Sequence, residues 1–322
     1  MTIADDTEGG PLLEPTTQQF IESVAEAPPL GALPPAEARA AFARLQSLPV
    51  GKPSARTDDV TFPIGPTGSV PVRIVRPRDA DGALPVVLYC HGGGWICGDA
   101  DSHDRLIREL AVGAGAALMF IGYDRSPEAQ YPVAIEQVYA AALYVAEHAQ
   151  ELTVDALRLA IVGDGVGGTI AAAVTLMAKE RRRPTIGLQV LICPVTGADL
   201  GTESYRRFAD GPWLTRAAME QAWNTYLPDV AMRANATAAP LCASLEQLAN
   251  LPDALVIVAE NDVTRDEGEC YARRLSDAGV RVASVRYNGT IHDFVVLNAL
   301  ADTPAARGAI DQIIGALSAA FG

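Results

Sequence analysis

From Asp58 onward the chain alternates short apolar, β-like runs with stretches of helical periodicity, and this alternation constrains its fold more than any other feature. DVTFPI, VPVRIVRP, LPVVLYC and AALMFIGY come first; LRLAIVG, IGLQVLICP, ALVIVAE and VRVASVRYN follow, with helical patterns over 134–149, 169–179 and 266–278 between or after them. Strand-helix alternation feeds each strand back beside an earlier one in the same direction, which implies an α/β fold: a mostly parallel central sheet covered by helices on both faces. In such sheets ligands bind beyond the carboxyl ends of the strands. Residues that carry chemistry are therefore expected directly after a strand.

Two helical segments fall outside the alternation. Residues 1–55 are expected to form N-terminal cap helices, with Phe20, Ile21 and Val24, then Ala41, Phe42 and Leu45, at helical spacing between proline breaks. Residues 56–322 are expected to form the main domain, with a second cap insertion at about 196–240. Together the two segments are placed to cover the sheet as a lid.

Composition narrows the partners. The 322 residues are 49% hydrophobic and 20% charged, and the net charge is -14. That charge opposes binding to a nucleic-acid backbone or an anionic membrane and leaves small neutral molecules as ligands. No apolar run approaches the ~18–20 residues needed to cross a bilayer. The start, MTIADDTEGG, lacks the apolar core of an export signal, so a cytoplasmic protein is expected. Cys90, Cys97, Cys193, Cys242 and Cys270 are odd in number and show no C-x-x-C spacing, as expected of reduced thiols. The sequence allows a homodimer without fixing the oligomeric state.

His91-Gly92-Gly93-Gly94-Trp95 follows the run LPVVLYC. Consecutive glycines let backbone N–H groups turn towards a ligand, as an oxyanion hole requires. Gly163-Asp164-Gly165-Val166-Gly167-Gly168 lies between LRLAIVG and a helix starting near Val166. Taken literally it is G-x-G-x-x-G, a dinucleotide fingerprint, but that role needs an acid at the end of the next strand, and IGLQVLICP ends at Cys193 and Pro194. The other reading is a nucleophile elbow, G-D-S-x-G-G, with glycine at position 165 in place of serine. Gly163 and Gly167 then stand two before and two after the nucleophile position, where the turn is too tight for Cβ atoms. Asp262 directly follows ALVIVAE, and His292 follows VRVASVRYN within Gly289-Thr290-Ile291-His292-Asp293-Phe294. The order elbow, acid, histidine is that of α/β-hydrolases. Asp266, the competing acid, is expected instead at a helix start.

HGGGW, YDRSPEAQYPVAIEQ, GDGVGG, NDVTRDEGECYARRL and GTIHDF together resemble successive blocks of the hormone-sensitive-lipase-like bacterial carboxylesterases, over roughly Val86 to Leu297. The resemblance implies an α/β-hydrolase fold with a helical cap and oxyanion-hole N–H groups from Gly93, Gly94 and Val166. It also implies Asp262 as acid, His292 as base and a small-molecule ester as substrate, with no metal and no other cofactor. Trp95, Trp213 and Phe20 are the expected substrate-binding residues. Two departures stand out. Asp124 occupies the place of the arginine that usually follows Tyr123, and Gly165 occupies the nucleophile position, so no acyl-enzyme can form there. An acid and base still in register favour an engineered serine replacement over a natural binding protein on the same fold.

Overall fold

The computed structural model describes residues 11–322; the segment MTIADDTEGG, read above for an export signal, lies outside them. Helices α1 (Pro15–Val24) and α2 (Pro35–Gln46) precede the sheet. Its eight strands are β1 (Ala55–Phe62), β2 (Val70–Pro77), β3 (Leu84–Cys90), β4 (Ala117–Ile121), β5 (Val154–Asp164), β6 (Leu188–Ile192), β7 (Asp253–Asn261) and β8 (Val282–Ile291). They lie in the order β1-β2-β4-β3-β5-β6-β7-β8, with β2 antiparallel to both neighbours and every pairing from β4 to β8 parallel. Helices α3 (Asp104–Gly113), α4 (Val133–Glu147), α5 (Val166–Arg181), α9 (Arg265–Asp277) and α10 (Pro304–Phe321) flank the sheet. Between β6 and β7 lie α6 (Glu203–Arg207), α7 (Arg216–Tyr226) and α8 (Leu245–Leu248). No helix among the described residues is long and apolar enough to cross a membrane.

The central strands read as unbroken apolar runs because both of their faces are covered. In β3, Val86, Leu88 and Cys90 enter one core layer with α4 and α5, while Val87 and Tyr89 enter the other with α3 and α10. Strand order reverses around β3. The chain leaves β3 for β4 on one side and returns through α4 to β5 on the other, so the loops after β3 and β5 diverge over a crevice, the usual ligand position in this architecture.

The N-terminal arm is fastened to that crevice by specific bonds. Arg39 donates to the Ile96 and Ser126 carbonyls at 2.8 and 2.9 Å and forks onto Glu128. The buried Gln46 amide donates to the Ser102 and Val296 carbonyls and accepts from the Asn298 N–H. The turn Leu30–Ala32 packs against α7, so the arm and the segment between β6 and β7 roof the crevice together.

The turn from β5 into α5 is the tightest in the site. Gly165 has φ 52° and ψ -120°, a backbone that side-chain-bearing residues rarely adopt. A Cβ on Gly163 would strike the Gly167 carbonyl, and one on Gly167 would strike the Cys90 carbonyl of the neighbouring strand, backbone atoms that cannot step aside. A Cβ on Gly165 would meet the His292 ring at 3.2 Å and the Gly92 Cα at an ordinary van der Waals distance of 3.8 Å. Gly165→Ala should therefore lower the unfolding free energy by about 1–3 kcal/mol, the usual cost of a strained backbone site. Gly167→Ala should cost more. Urea unfolding of the two variants checks this, and the reverse ranking would mean that the turn is not built as described.

Candidate active site

Four chain segments meet in the crevice, each directly after a strand. His91 follows β3, Gly165 follows β5, Asp262 follows β7 and His292 follows β8. His292 Nδ1 lies 2.7 Å from Asp262 Oδ2, and both side chains are buried. Asp262 is itself fixed by the Thr264 N–H at 3.0 Å and the Thr264 hydroxyl at 2.8 Å. These bonds direct His292 Nε2 at Gly165, 3.2 Å from where a Cβ on that residue would sit. Burial alone would push the pKa of His292 down, but the Asp262 and Asp293 carboxylates outweigh it and raise the value to about 9. Asp266, the alternative acid, lies in the first turn of α9 and accepts from the Ser204 N–H at 2.8 Å.

The glycine loop faces the same point. The Gly93 carbonyl accepts from the N–H groups of Ile96 and Cys97, which curls the loop. Gly93 and Gly94 have positive φ, and among the described residues their own N–H groups donate to no protein acceptor. Val166 is the first residue of α5, where the N–H has no partner within the helix. Gly93, Gly94, Val166 and His292 all line one cavity of about 580 Å³, with an apolar far wall from α1, α2 and α7 that includes Ile21, Val24, Leu45 and Ala218.

A buried acid holds the loop from below. Asp164 accepts from the Gly92 N–H at 2.9 Å and the Tyr89 hydroxyl at 2.7 Å, and His103 Nε2 lies 3.7 Å away. Burial would raise the pKa of Asp164, but His103 and Tyr89 bring it below the usual carboxylate value; His103 is raised in turn, with Asp164 overcoming the effect of burial. His91, stacked between Tyr123 and Phe120, is driven down to about 3 by burial and by His103, so it stays neutral and serves as a wall of the loop. The motifs of the sequence give Asp164 no role. Its signal was an acid at the end of an apolar strand, immediately before the elbow.

The expected substrate contacts divide. Trp213 lines the cavity. Phe20 does not; it is buried behind Trp213 with ring centres 5.3 Å apart. Trp95 is a correction: its indole is 1% exposed and stacks on Tyr226 at 4.2 Å, so it anchors α7 to the loop instead of touching the cavity. Its backbone has φ 59°, which turns the side chain inward while the glycines before it face the crevice. Asp124, in place of the usual arginine, accepts from the Gln137 amide at 2.8 Å, and Arg125 donates to the Gly98 carbonyl at 2.7 Å.

Cys193, Asp262 and His292 bring candidate metal-ligand atoms within 4.8 Å of one another. The 2.7 Å between His292 Nδ1 and Asp262 Oδ2 is a hydrogen-bond separation. Two ligands of one tetrahedral zinc stand roughly 3.3 Å apart, so an ion here would require the pair to separate.

Comparison with known proteins agrees with this architecture. The sequence profile of the alpha/beta hydrolase fold family matches residues 87–296. Carboxylesterase NlhH of Mycobacterium tuberculosis is 36% identical over 286 residues, 88% of this chain and 89% of that protein. The ethyl acetate hydrolase of Pseudomonas putida is 35% identical over 277 residues, 84% of this chain and 86% of that one. The crystal structure of a thermostable esterase from Pseudomonas putida ECU1011 superposes with a TM-score of 0.95 at 45% identity, covering 98% of this chain and 99% of that one. With the strand order, the loops after β3 and β5 and the profile match in agreement, the chain belongs to the alpha/beta hydrolase fold family.

Proposed function

We propose that this fold carries a carboxylic ester hydrolase of the hormone-sensitive-lipase-like type, with Gly165 in the position of its nucleophilic serine. One observation supports the reading above the others. Gly165 has the strained backbone of an elbow nucleophile, and the imidazole nitrogen that would accept a serine's proton lies 3.2 Å from its Cβ position. The names of the relatives point to the same reaction class.

The chemistry follows from the geometry. A hydroxyl on residue 165 would attack an ester carbonyl while His292 Nε2 took its proton. Asp262 would hold the proton on Nδ1 and stabilise the imidazolium, and the N–H groups of Gly93, Gly94 and Val166 would donate hydrogen bonds to the developing oxyanion. His292 would then return the proton to the leaving alkoxide, and water would repeat the cycle on the acyl-enzyme. The arm and the segment around α7 act as a cap, and their apolar wall suits the hydrocarbon part of a short ester.

Without the hydroxyl, this chain binds esters and has no covalent route to their hydrolysis. In an unrelated serine protease the loss of the nucleophile costs about 10⁶ in turnover, and a residual ~10³–10⁴ over water survives from binding and the oxyanion hole. Thr169 is no substitute, because its buried hydroxyl donates to the Val195 carbonyl. An introduced glycine accounts for an acid and a base that remain aligned on a missing atom. The source gene should accordingly carry a serine codon at position 165, and a glycine codon there would overturn an engineered origin.

Gly165→Ser should create hydrolysis of short-chain p-nitrophenyl esters, a gain of several orders of magnitude, on the order of the 10⁶ lost when such a nucleophile is removed. Adding His292→Ala should abolish that gain, since a neutral serine without its base is a poor nucleophile. Steady-state kinetics on both variants decides the matter. A folded serine variant inactive across a panel of acyl lengths would contradict the esterase reading.

A further inference from the structure

Asp293 has no part in the reaction described above, yet its carboxylate lies inside the cavity against the base. Its backbone is left-handed, with φ 62°, a conformation uncommon for a residue with a side chain and more readily adopted by aspartate than by most. Asp293 Oδ1 is 3.5 Å from His292 Nε2, the distance of an ion pair without a hydrogen bond. The other oxygen, Oδ2, accepts from the Trp213 indole N–H at 3.1 Å. Trp213 belongs to the roof between α6 and α7 and is backed by Phe20 of α1. The imidazole thus lies between two carboxylates, Asp262 on Nδ1 and Asp293 on the Nε2 side, and the second is tied to the roof.

We propose that Asp293 is a positioning residue that clamps the imidazolium form of His292 from its Nε2 side, and that Trp213 couples this clamp to the roof over the cavity. The clamp is a property of the chain with glycine at position 165. Its catalytic consequence rests on the esterase reading: a nucleophile's hydroxyl has to compete with Asp293 for Nε2.

Every charged or titratable neighbour of the pair bears on this. Asp262 after β7 and Asp164 at the end of β5 both favour the imidazolium. Burial and the Asp262 and Asp293 carboxylates hold the Cys193 thiol, after β6, well above its usual value. Burial takes the Cys97 thiol, in the cavity wall, up to about 11. Tyr89 and His103 lie within the field of Asp293 from behind the glycine loop. Asp293 itself is raised by burial, against the pull of His292 and Trp213. Both thiols are therefore uncharged near neutral pH, which leaves the carboxylates to set the charge on His292. Removing a negative charge beside an imidazolium lowers its pKa, so replacing Asp293 should free the base at lower pH.

The direct test is isotope-edited NMR of the histidine Cε1–H signals across a pH titration of the whole chain with Gly165 in place, His292→Ala assigning the signal. His292 should titrate well above an ordinary histidine. Asp293→Asn should move its midpoint down by about one pH unit or more. Asparagine tolerates the left-handed backbone and keeps an acceptor for Trp213; Asp293→Gly, which removes the backbone strain altogether, should give the same direction. Trp213→Phe should lower the midpoint by a smaller amount. In the Gly165→Ser chain, Asp293→Asn should shift the acid limb of kcat/KM down by the same interval, roughly a tenfold gain at neutral pH. An unmoved NMR midpoint in both Asp293 variants overturns the clamp even if the serine variant is a good esterase. An unmoved midpoint in Trp213→Phe overturns the coupling to the roof. If the serine variant is inactive while the NMR midpoints shift, the clamp stands and the esterase reading falls.

Discussion

The site depends on how closely the turn after β5 approaches the end of β3. Only backbone fits between Gly163, Gly167 and the Cys90 carbonyl, and that contact lets α5 start almost on top of the neighbouring strand. Three consequences follow at once. Residue 165 is lifted to the crest of the turn, under His292. The N–H of Val166 opens beside the glycine loop, and Asp164 is left beneath Gly92 with its carboxylate in reach of the loop's backbone. A side chain at Gly163 or Gly167 would disturb all three together, so these glycines serve geometry and not flexibility.

A buried carboxylate then converts closeness into a fixed shape. Asp164 is 2% exposed and would be costly to bury unpaired, but it accepts bonds from Gly92 N–H and Tyr89 and faces His103. Each of these partners comes from β3 or the segment after it. The glycine loop is therefore held by a charge-assisted bond at Gly92 that does not involve the N–H groups of Gly93 and Gly94, which leaves those groups for a ligand. Preorganised donors of this kind, fixed before the substrate arrives, account for a large share of acyl-transfer catalysis in general.

Much of this was legible in the sequence because it depends on local pattern. Alternating runs gave the parallel sheet, and placing chemistry after strand ends put Asp262 and His292 on the loops that follow β7 and β8. Glycine spacing located the turn at position 165. Contacts between distant segments were less visible. Trp95 reads as a cavity residue because it adjoins three glycines, and only its positive φ and its stacking on Tyr226, more than a hundred residues away, turn it into the core. Gln46 and Arg39 look like surface polar residues on an amphipathic arm, yet both are fastened to carbonyls of the segments that follow β3 and β8. Asp293 reads in the sequence only as the residue after the histidine, since its left-handed backbone and its contacts with His292 and Trp213 are not revealed by local pattern.

On the function proposed above, every part of an acyl-transfer site is in place except one oxygen. Intact-mass analysis after exposure to a small fluorophosphonate ester tests that function without any assumption about the natural substrate, because such a reagent reports only an activated hydroxyl beside a base and an oxyanion hole. One covalent adduct is expected on Gly165→Ser, mapped to residue 165, and none on the chain with glycine there or on the serine variant that also lacks His292. A folded Gly165→Ser protein that stays unmodified, or that carries its adduct on another residue, would contradict it.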